Sequence, residues 1–178
     1  MTLWLTHDQA RAIAQHARRE RPNEACGLVA GAAERAAQVI PVPNTAADPQ
    51  RCFEMDSVLF ARAVRDIQRA GLRLIAIYHS HPNTDPVPSP ADIACATYPN
   101  TVYLIISLRG PDASFAAWRF HGSHVEKVDL HIGNSPPPPL PEPLTSAGRV
   151  AVTVAALTAV VFFIVLALTL LPPAPPLP

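Results

Sequence analysis

The feature that most constrains this chain is a nearly all-apolar segment, Leu72 to Tyr78, that leads directly into His79-Ser80-His81. A strand that is apolar at consecutive positions has no face for water, so it must lie in a sheet that is covered on both sides. Residues two apart in an extended chain point to the same side, so the two histidines would face one point together. The segment predicts a central strand with a site at its end.

The rest of residues 1–132 predicts alternating helices and strands. Capping residues and helical spacing predict helices from Thr6 to about Glu20, from Asp56 to Gly71 and from Pro90 to about Thr97. Short apolar segments predict the strands, of which the last two form a hairpin: Cys26–Ala30, Val39–Val42, Leu72–Tyr78, Val102–Leu108, Phe115–Phe120 and Val125–Ile132. The expected fold is α/β, a mixed β-sheet flanked by helices.

His79, His81 and Asp92 have the composition of a catalytic zinc site. Two imidazoles and one carboxylate leave the fourth tetrahedral position for water, and the turn-rich stretch before Asp92 lets it return to the histidines. Two polar residues entering a loop are the weaker interpretation, because a buried histidine pair without a ligand would need two sets of hydrogen-bond partners. Ser89 and Pro90 also fit a helix start, which is compatible with a ligand role for Asp92.

This spacing resembles the motif of the JAMM (MPN-type) metallopeptidases, in which a distant Glu precedes H-x-H, seven residues, Ser, two residues and Asp. Pro22–Leu28 is similar to the P-x-E-x-C-G-L segment that carries the glutamate. Further similarity extends through Phe53–Asp56 and Tyr103–Ser107. The resemblance covers approximately Thr2 to Leu130. It implies the JAMM/MPN fold, which is cytidine-deaminase-like, as a small prokaryotic-type core.

By this resemblance His79, His81 and Asp92 bind Zn²⁺, Glu24 is the general base, and Ser89 helps to hold the oxyanion. The sequence pattern alone does not distinguish Glu24 from Glu20, Glu34 or Glu54. The implied activity is hydrolysis of peptide or isopeptide bonds, after the C-terminal glycines of a ubiquitin-like or sulfur-carrier protein. The segment from Asp92 to Val102 is too short for the insertions with which deubiquitinating relatives bind ubiquitin.

Two alternatives come from other functional classes. A non-catalytic MPN-type scaffold could recruit partners to a membrane. Catalytically inactive members of the family usually lack part of the motif, however, and the motif is complete here. A RadC-like protein has a similar histidine loop, but the context of Glu24 argues against it. The chain has 14 basic and 14 acidic residues, which gives no electrostatic footprint for a nucleic acid. Cys26, Cys52 and Cys95 show no C-x-x-C spacing and are interpreted as small buried apolar residues.

The C-terminal part of the chain differs in composition from the rest. Residues 150–171 contain no charged residue, Gly or Pro, and a helix of this length spans about 33 Å, enough to cross a bilayer. They are predicted to form a transmembrane helix, with a buried core helix as the alternative. Residues 133–149 are proline-rich and predict a semi-rigid linker or, alternatively, a docking ligand. Residues 172–178 form a short tail.

These features together predict a tail-anchored membrane protein. The N-terminal residues contain no apolar block that resembles a signal peptide. The predicted span lies close to the C-terminus, and Arg149 on its near side agrees with the positive-inside rule. The catalytic domain is therefore expected on the cytoplasmic side of a membrane.

Overall fold

A computed structural model describes residues 2–98, 101–122, 124–136 and 157–166. It separates two compact units, Met1–Pro137 and Pro138–Pro178. The strands of the first unit are β1 (Thr2–Leu5), β2 (Cys26–Ala32), β3 (Arg35–Val42), β4 (Arg73–His81), β5 (Val102–Ser107), β6 (Ser114–His121) and β7 (His124–Ile132). Its helices are α1 (His7–Glu20), α2 (Ser57–Arg69) and α3 (Pro90–Ala94).

Within the described residues, the strands form one mixed sheet that closes into a barrel, in the order β1-β3-β2-β4-β5-β6-β7. The sheet closes through β1, which pairs in parallel with β7 and, at Trp4 opposite Arg35, with β3. The β4–β5 pair is also parallel, and the other pairs are antiparallel. The predicted α/β fold with a mixed sheet is confirmed. The closure was not predicted, because the four residues of β1 are too few to show the alternation of apolar and polar residues that indicates a strand.

The central strand β4 is buried from Ile75 to His81. Tyr78 belongs to a core cluster that includes Ile13 of α1, whereas the neighbouring Ile77 belongs to a second cluster with Ile67 of α2. Successive side chains therefore enter different apolar environments. This arrangement explains the nearly continuous apolar sequence that precedes the histidines.

Several predicted element ends are confirmed. The Thr6–Gln9 capping box begins α1, and Asp56 caps α2 by accepting a hydrogen bond from the Leu59 N–H at 2.8 Å. Strands β6 and β7 form the predicted hairpin, in which Gly122 has a positive φ of 61°. Positive φ is accessible to glycine at little steric cost, so this residue suits the turn.

Other predicted ends are wrong. The sequence predicted that β2 would stop at Gly31, but a bulge at that residue allows the strand to continue to Ala32. Helix α3 ends at Ala94 rather than near Thr97, and Cys95 forms its C-cap. The interpretation of three buried cysteines holds only for Cys26, because Cys52 is half-buried and Cys95 is exposed.

The predicted C-terminal segments lie mostly outside the described residues. Of the proline-rich linker, 133–149, only residues 133–136 are described, and the tail, 172–178, lies entirely outside them. Of the predicted span, 150–171, residues 157–166 are described and form an exposed helix. Among the helices that the structure describes, none has both the length and the apolar character needed to cross a membrane.

Gly27 in β2 provides a test of the packing between strands. A Cβ atom there would lie 2.5 Å from the Ile40 carbonyl oxygen and 2.6 Å from the Tyr78 ring. Gly27→Ala should lower the free energy of unfolding by about 1–3 kcal/mol, because a paired backbone and a buried ring have no room to move. Urea denaturation measures this change.

Gly110→Ala is the matched control, because its Cβ would meet nothing closer than 3.5 Å. It should change the free energy of unfolding by less than about 0.5 kcal/mol. Equal losses of stability in the two variants would contradict the described packing around Gly27.

Candidate active site

The antiparallel pairing of β2 with β4 brings distant parts of the sequence together. Cys26 pairs in register with His79. One residue earlier, the Ala25 N–H donates to Ser80 Oγ at 2.8 Å, and the Ser80 N–H donates to the Ala25 carbonyl at 2.9 Å. Continuing this register places Glu24 next to His81 on the same side of the paired chains.

His79, His81 and Asp92 are buried and point to one place. The two Nε2 atoms are 3.2 Å apart, His79 Nε2 is 3.3 Å from Asp92 Oδ1, and His81 Nε2 is 3.4 Å from Asp92 Oδ2. Atoms at tetrahedral positions about 2.0–2.2 Å from a zinc ion lie about 3.3–3.6 Å from one another. The two Nε2 atoms have about this spacing, and one ligand atom from each of the three residues lies within 4.8 Å of the others, so the position and the chemistry of these side chains fit zinc.

The surroundings of both imidazoles hold them in a suitable orientation. His81 Nδ1 lies 2.9 Å from the Asp85 carbonyl oxygen, which places the ring proton on Nδ1 and leaves the Nε2 lone pair free for a metal. The Phe53 ring stacks on His79 with centroids 4.4 Å apart and an angle of 19°. Phe53 was noted in the sequence only through the family resemblance, since a single aromatic residue in a loop carries no other signal.

Ser89 and Asp92 form the capping box that begins α3. Ser89 Oγ accepts from the Asp92 N–H at 3.2 Å, and the Ser89 N–H donates to Asp92 Oδ2 at 2.7 Å. The cap therefore fixes the Asp92 carboxylate where it faces the histidines. Because Ser89 Oγ acts as an acceptor in this cap, its own O–H remains available to another acceptor. Asp92 thus takes part in the helix cap and also faces the two histidines, and the sequence indicated that these two roles are compatible.

Buried side chains of this cluster have shifted pKa values. Burial raises the pKa of Asp92, but the adjacent His79 and His81 and the hydrogen bond from the Ser89 N–H outweigh this effect and hold it well below its usual range. Burial lowers the pKa of His79, which keeps this imidazole neutral. The ionised Asp92 and the neutral His79 are in the protonation states that metal ligands require. Burial lowers the pKa of His81, but Asp92 and the Asp85 carbonyl outweigh it and raise this pKa, so a metal bound there would displace a proton.

The pKa of Glu24 is shifted in the opposite direction to that of Asp92. Glu24 is 6% exposed, and Oε2 is buried without a hydrogen-bond partner. Burial raises the pKa of Glu24 to about 7; the nearby charge of His81 lowers it, and the carboxylates of Asp92 and Asp48 raise it. A carboxylate with a pKa near neutrality can both accept and release a proton at physiological pH.

The loop between His81 and Ser89 is held by side chains that the sequence did not indicate. Ser107 Oγ donates to the Thr84 carbonyl at 2.6 Å, and Trp118 Nε1 donates to the Pro86 carbonyl at 2.9 Å. The Arg21 guanidinium donates to the carbonyls of Pro82 and Leu108. These bonds join residues far apart in sequence, so no local pattern reveals them.

The stability of the zinc-free protein should depend on Glu24 and on pH. Between pH 4.5 and about 7, folded Glu24 keeps a proton that the unfolded chain loses, so its contribution to stability falls as pH rises. The Glu24→Gln variant has no ionisable group at this position, so it avoids this loss of stability at high pH. At pH 8 the variant should exceed the wild type by about 1–3 kcal/mol in free energy of unfolding, and at pH 4 the two should be nearly equal.

Chemical denaturation of both zinc-free proteins at the two pH values checks this expectation. A stability difference that is the same at pH 4 and pH 8 would show that ionisation of Glu24 is not its source.

Comparisons with known proteins point to one family. The family model for prokaryotic homologs of the JAB domain matches residues 6–121. A desampylase of Haloferax volcanii is 35% identical over 136 residues, which cover 73% of this chain and 96% of that protein. A CysO-cysteine peptidase of Mycobacterium tuberculosis is 36% identical over 106 residues, 58% of this chain and 72% of the relative. A probable TtuB-protein conjugate cleaving protease of Thermus thermophilus is 40% identical over 95 residues, 53% of this chain and 63% of the relative.

Solved structures show the same fold. The solution structure of a protein from Desulfitobacterium hafniense has a TM-score of 0.69 and 31% identity, and the match covers 76% of this chain and 94% of that one. A JAB1/MPN domain protein from Archaeoglobus fulgidus shares the fold with a TM-score of 0.51 at 18% identity, over 74% of this chain and 97% of that one. The family expected from the sequence motif is thereby confirmed, and the chain belongs to the prokaryotic JAMM/MPN family of JAB-domain proteins.

Proposed function

We propose that this chain is a zinc-dependent peptidase or isopeptidase that cleaves after the C-terminal glycines of a ubiquitin-like or sulfur-carrier protein. The observation that carries the proposal is the convergence of His79, His81 and Asp92 beside the buried, unpartnered carboxylate of Glu24. Relatives named as a desampylase, a CysO-cysteine peptidase and a TtuB-protein conjugate cleaving protease support both the reaction and the class of substrate.

His79, His81 and Asp92 would hold the zinc ion through Nε2, Nε2 and a carboxylate oxygen. When bound there, zinc would act as a Lewis acid, which lowers the pKa of bound water and polarises the carbonyl of the scissile bond. His79 is fully buried, and His81 and Asp92 are nearly so. Their burial keeps competing water away and strengthens the electrostatic interactions within the site.

Glu24 and Ser89 would move and hold protons during the reaction. Glu24 Oε2 accepts a proton from the attacking water and returns it to the nitrogen of the leaving amine. A pKa raised to about 7 suits both transfers, because the group is neither too weak a base nor too weak an acid at neutral pH. The Ser89 O–H, which the helix cap does not use as a donor, stabilises the carbonyl oxygen as it gains negative charge.

A cavity of about 620 Å³ next to the metal ligands suits the acyl side of the substrate. Its walls are mostly apolar and include Phe53, Met55, Phe60 and Tyr98. Phe53 connects it to the site because the same ring stacks on His79. A C-terminal glycine tail is thin enough to lie in such a cavity.

The proposal includes attachment to a membrane. The uncharged apolar sequence 150–171 supports a tail anchor, and the proline-rich sequence 133–149 supports a spacer between it and the catalytic domain. The domain, residues 1–132, would lie on the cytoplasmic side, with residues 172–178 on the other.

Glu24→Gln should separate catalysis from metal binding. The variant should retain zinc but cleave a Gly-Gly-terminated carrier fused to a short peptide about 10²–10⁴-fold more slowly, because it has lost its base. His79→Ala should lose the zinc itself. Metal analysis and cleavage assays measure both effects. A wild-type protein without zinc, or an undiminished rate in Glu24→Gln, would contradict the mechanism.

The membrane anchor can be tested by topology. A reporter fused after residue 178 should be protected from protease added to the cytoplasmic side of intact membranes, because residues 150–171 would carry it across. The matched control replaces two apolar residues of the span, Val160 and Leu166, by Arg, and should leave the reporter accessible. Full accessibility of the unaltered protein would contradict the tail anchor.

A further inference from the structure

The chain between β3 and α2 forms a closed loop, residues 44–55, beside the catalytic cluster. Asn44 and Met55 pair in an isolated antiparallel bridge at its base, and the Thr45 N–H donates to the Glu54 carbonyl at 2.7 Å. Residues of this loop form much of the wall of the cavity of about 620 Å³. Its conformation therefore determines the shape of that wall.

The side chain of Asn44 holds this loop through its amide group. Asn44 Nδ2 donates to the Glu24 carbonyl at 2.9 Å and to the Cys52 carbonyl at 3.1 Å. Asn44 Oδ1 accepts from the N–H groups of Ala46 and Glu54, each at 3.0 Å. A primary amide has two N–H donors and two acceptor positions, so these four bonds satisfy it completely.

Two of these bonds hold the ring that covers His79. Cys52 and Glu54 are the chain neighbours of Phe53, so Asn44 fixes the backbone on both sides of that residue. The Phe53 ring stacks on His79 with centroids 4.4 Å apart. Without these bonds the ring would be free to move away from the imidazole.

A third bond holds the backbone of the proposed general base. The Glu24 carbonyl accepts from Asn44, and the Glu24 N–H donates to the Pro49 carbonyl of the same loop at 2.7 Å. Both polar backbone groups of Glu24 are thus bonded to residues 44–55. Because Oε2 of its carboxylate has no hydrogen-bond partner, the position of this oxygen depends on the backbone that carries it.

We propose that Asn44 is a positioning residue, which holds the base Glu24 and the Phe53 ring over His79 in a fixed relation to each other. The catalytic part of this inference rests on the proposed hydrolase function. Asn44 takes no part in bond cleavage and acts only through the backbone of Glu24 and through Phe53.

Two substitutions in the full-length protein test the proposal. Asn44→Ala removes all four bonds. Asn44→Asp keeps an acceptor for the Ala46 and Glu54 N–H groups and so preserves the turn, but it removes the donors to the carbonyls of Glu24 and Cys52. It therefore keeps the test valid if the alanine variant does not fold.

Thr45→Val is the matched control in the same loop. It removes the hydrogen bond from Thr45 Oγ1 to the Glu54 carbonyl at 3.1 Å, but that carbonyl keeps the bond from the Thr45 N–H. No bond to Glu24 is lost. A purely structural role of the loop would make this variant and the Asn44 variants differ only in stability.

NMR of the zinc-free proteins gives the first measurement, because a stacked ring shifts the signals of the protons that it covers. In both Asn44 variants the ring-proton signals of His79 should move towards those of Phe53→Leu, which has no stacked ring. They should stay at the wild-type positions in Thr45→Val.

Zinc affinity and turnover give the second measurement. The zinc affinity of the Asn44 variants should fall by about 10–100-fold, as is typical when the support of a metal ligand is lost. Their kcat for a Gly-Gly-terminated carrier fused to a short peptide should fall by about 10–100-fold, because the base is misplaced. Thr45→Val should match the wild type in both.

The outcomes separate this inference from the proposed function. Displaced His79 signals in the Asn44 variants, together with a wild type that cleaves no carrier, would support the positioning of Phe53 while rejecting the hydrolase function. Wild-type His79 signals and zinc affinity in a folded Asn44→Asp protein would overturn the proposal. An unchanged kcat in that variant would overturn the role of Asn44 towards Glu24.

Discussion

The backbone pairing between β2 and β4 is the constraint on which the site depends. The register that places Cys26 opposite His79 also places Glu24 beside His81. Gly27 allows the strands to pack closely because the Tyr78 ring and the Ile40 carbonyl occupy the space that a side chain would need. On the other edge of β4, β5 runs parallel and ends at Ser107, whose hydroxyl holds the loop after His81. The central strand is thereby fixed on both edges before any ligand binds.

Burial acts on the two site carboxylates in opposite ways. Asp92 lies 3.3 and 3.4 Å from the Nε2 atoms of His79 and His81 and accepts a hydrogen bond from a backbone N–H, so its pKa is held low despite desolvation. Glu24 Oε2 has no such donor, so desolvation dominates and raises its pKa to about 7. Two carboxylates in one site thus acquire the separate properties of a ligand and of a base. Divergent pKa values of neighbouring acids are a common way in which enzymes assign such roles.

The sequence predicted much of the fold and the composition of the site. The apolar strand before His79, the caps of α1 and α2, and the final hairpin follow from local patterns, because their causes are local. The barrel closure through β1 and the loop contacts of Trp118 were missed, because each depends on residues far away in the chain. The bulge at Gly31 is local, but a glycine after an apolar run also fits the end of a strand. Glu24 was identified only through the family motif, since its position opposite His81 is a property of the sheet register.

X-ray absorption spectroscopy at the zinc edge of the full-length, zinc-loaded protein tests the central claim most directly. Ligation by His79, His81 and Asp92 predicts a shell of nitrogen and oxygen atoms at about 2.0–2.2 Å, with the outer-shell scattering of two imidazole rings. That scattering should be reduced in His81→Ala. A sulfur shell at about 2.3 Å would instead place the zinc on cysteine thiolates and contradict the assigned site.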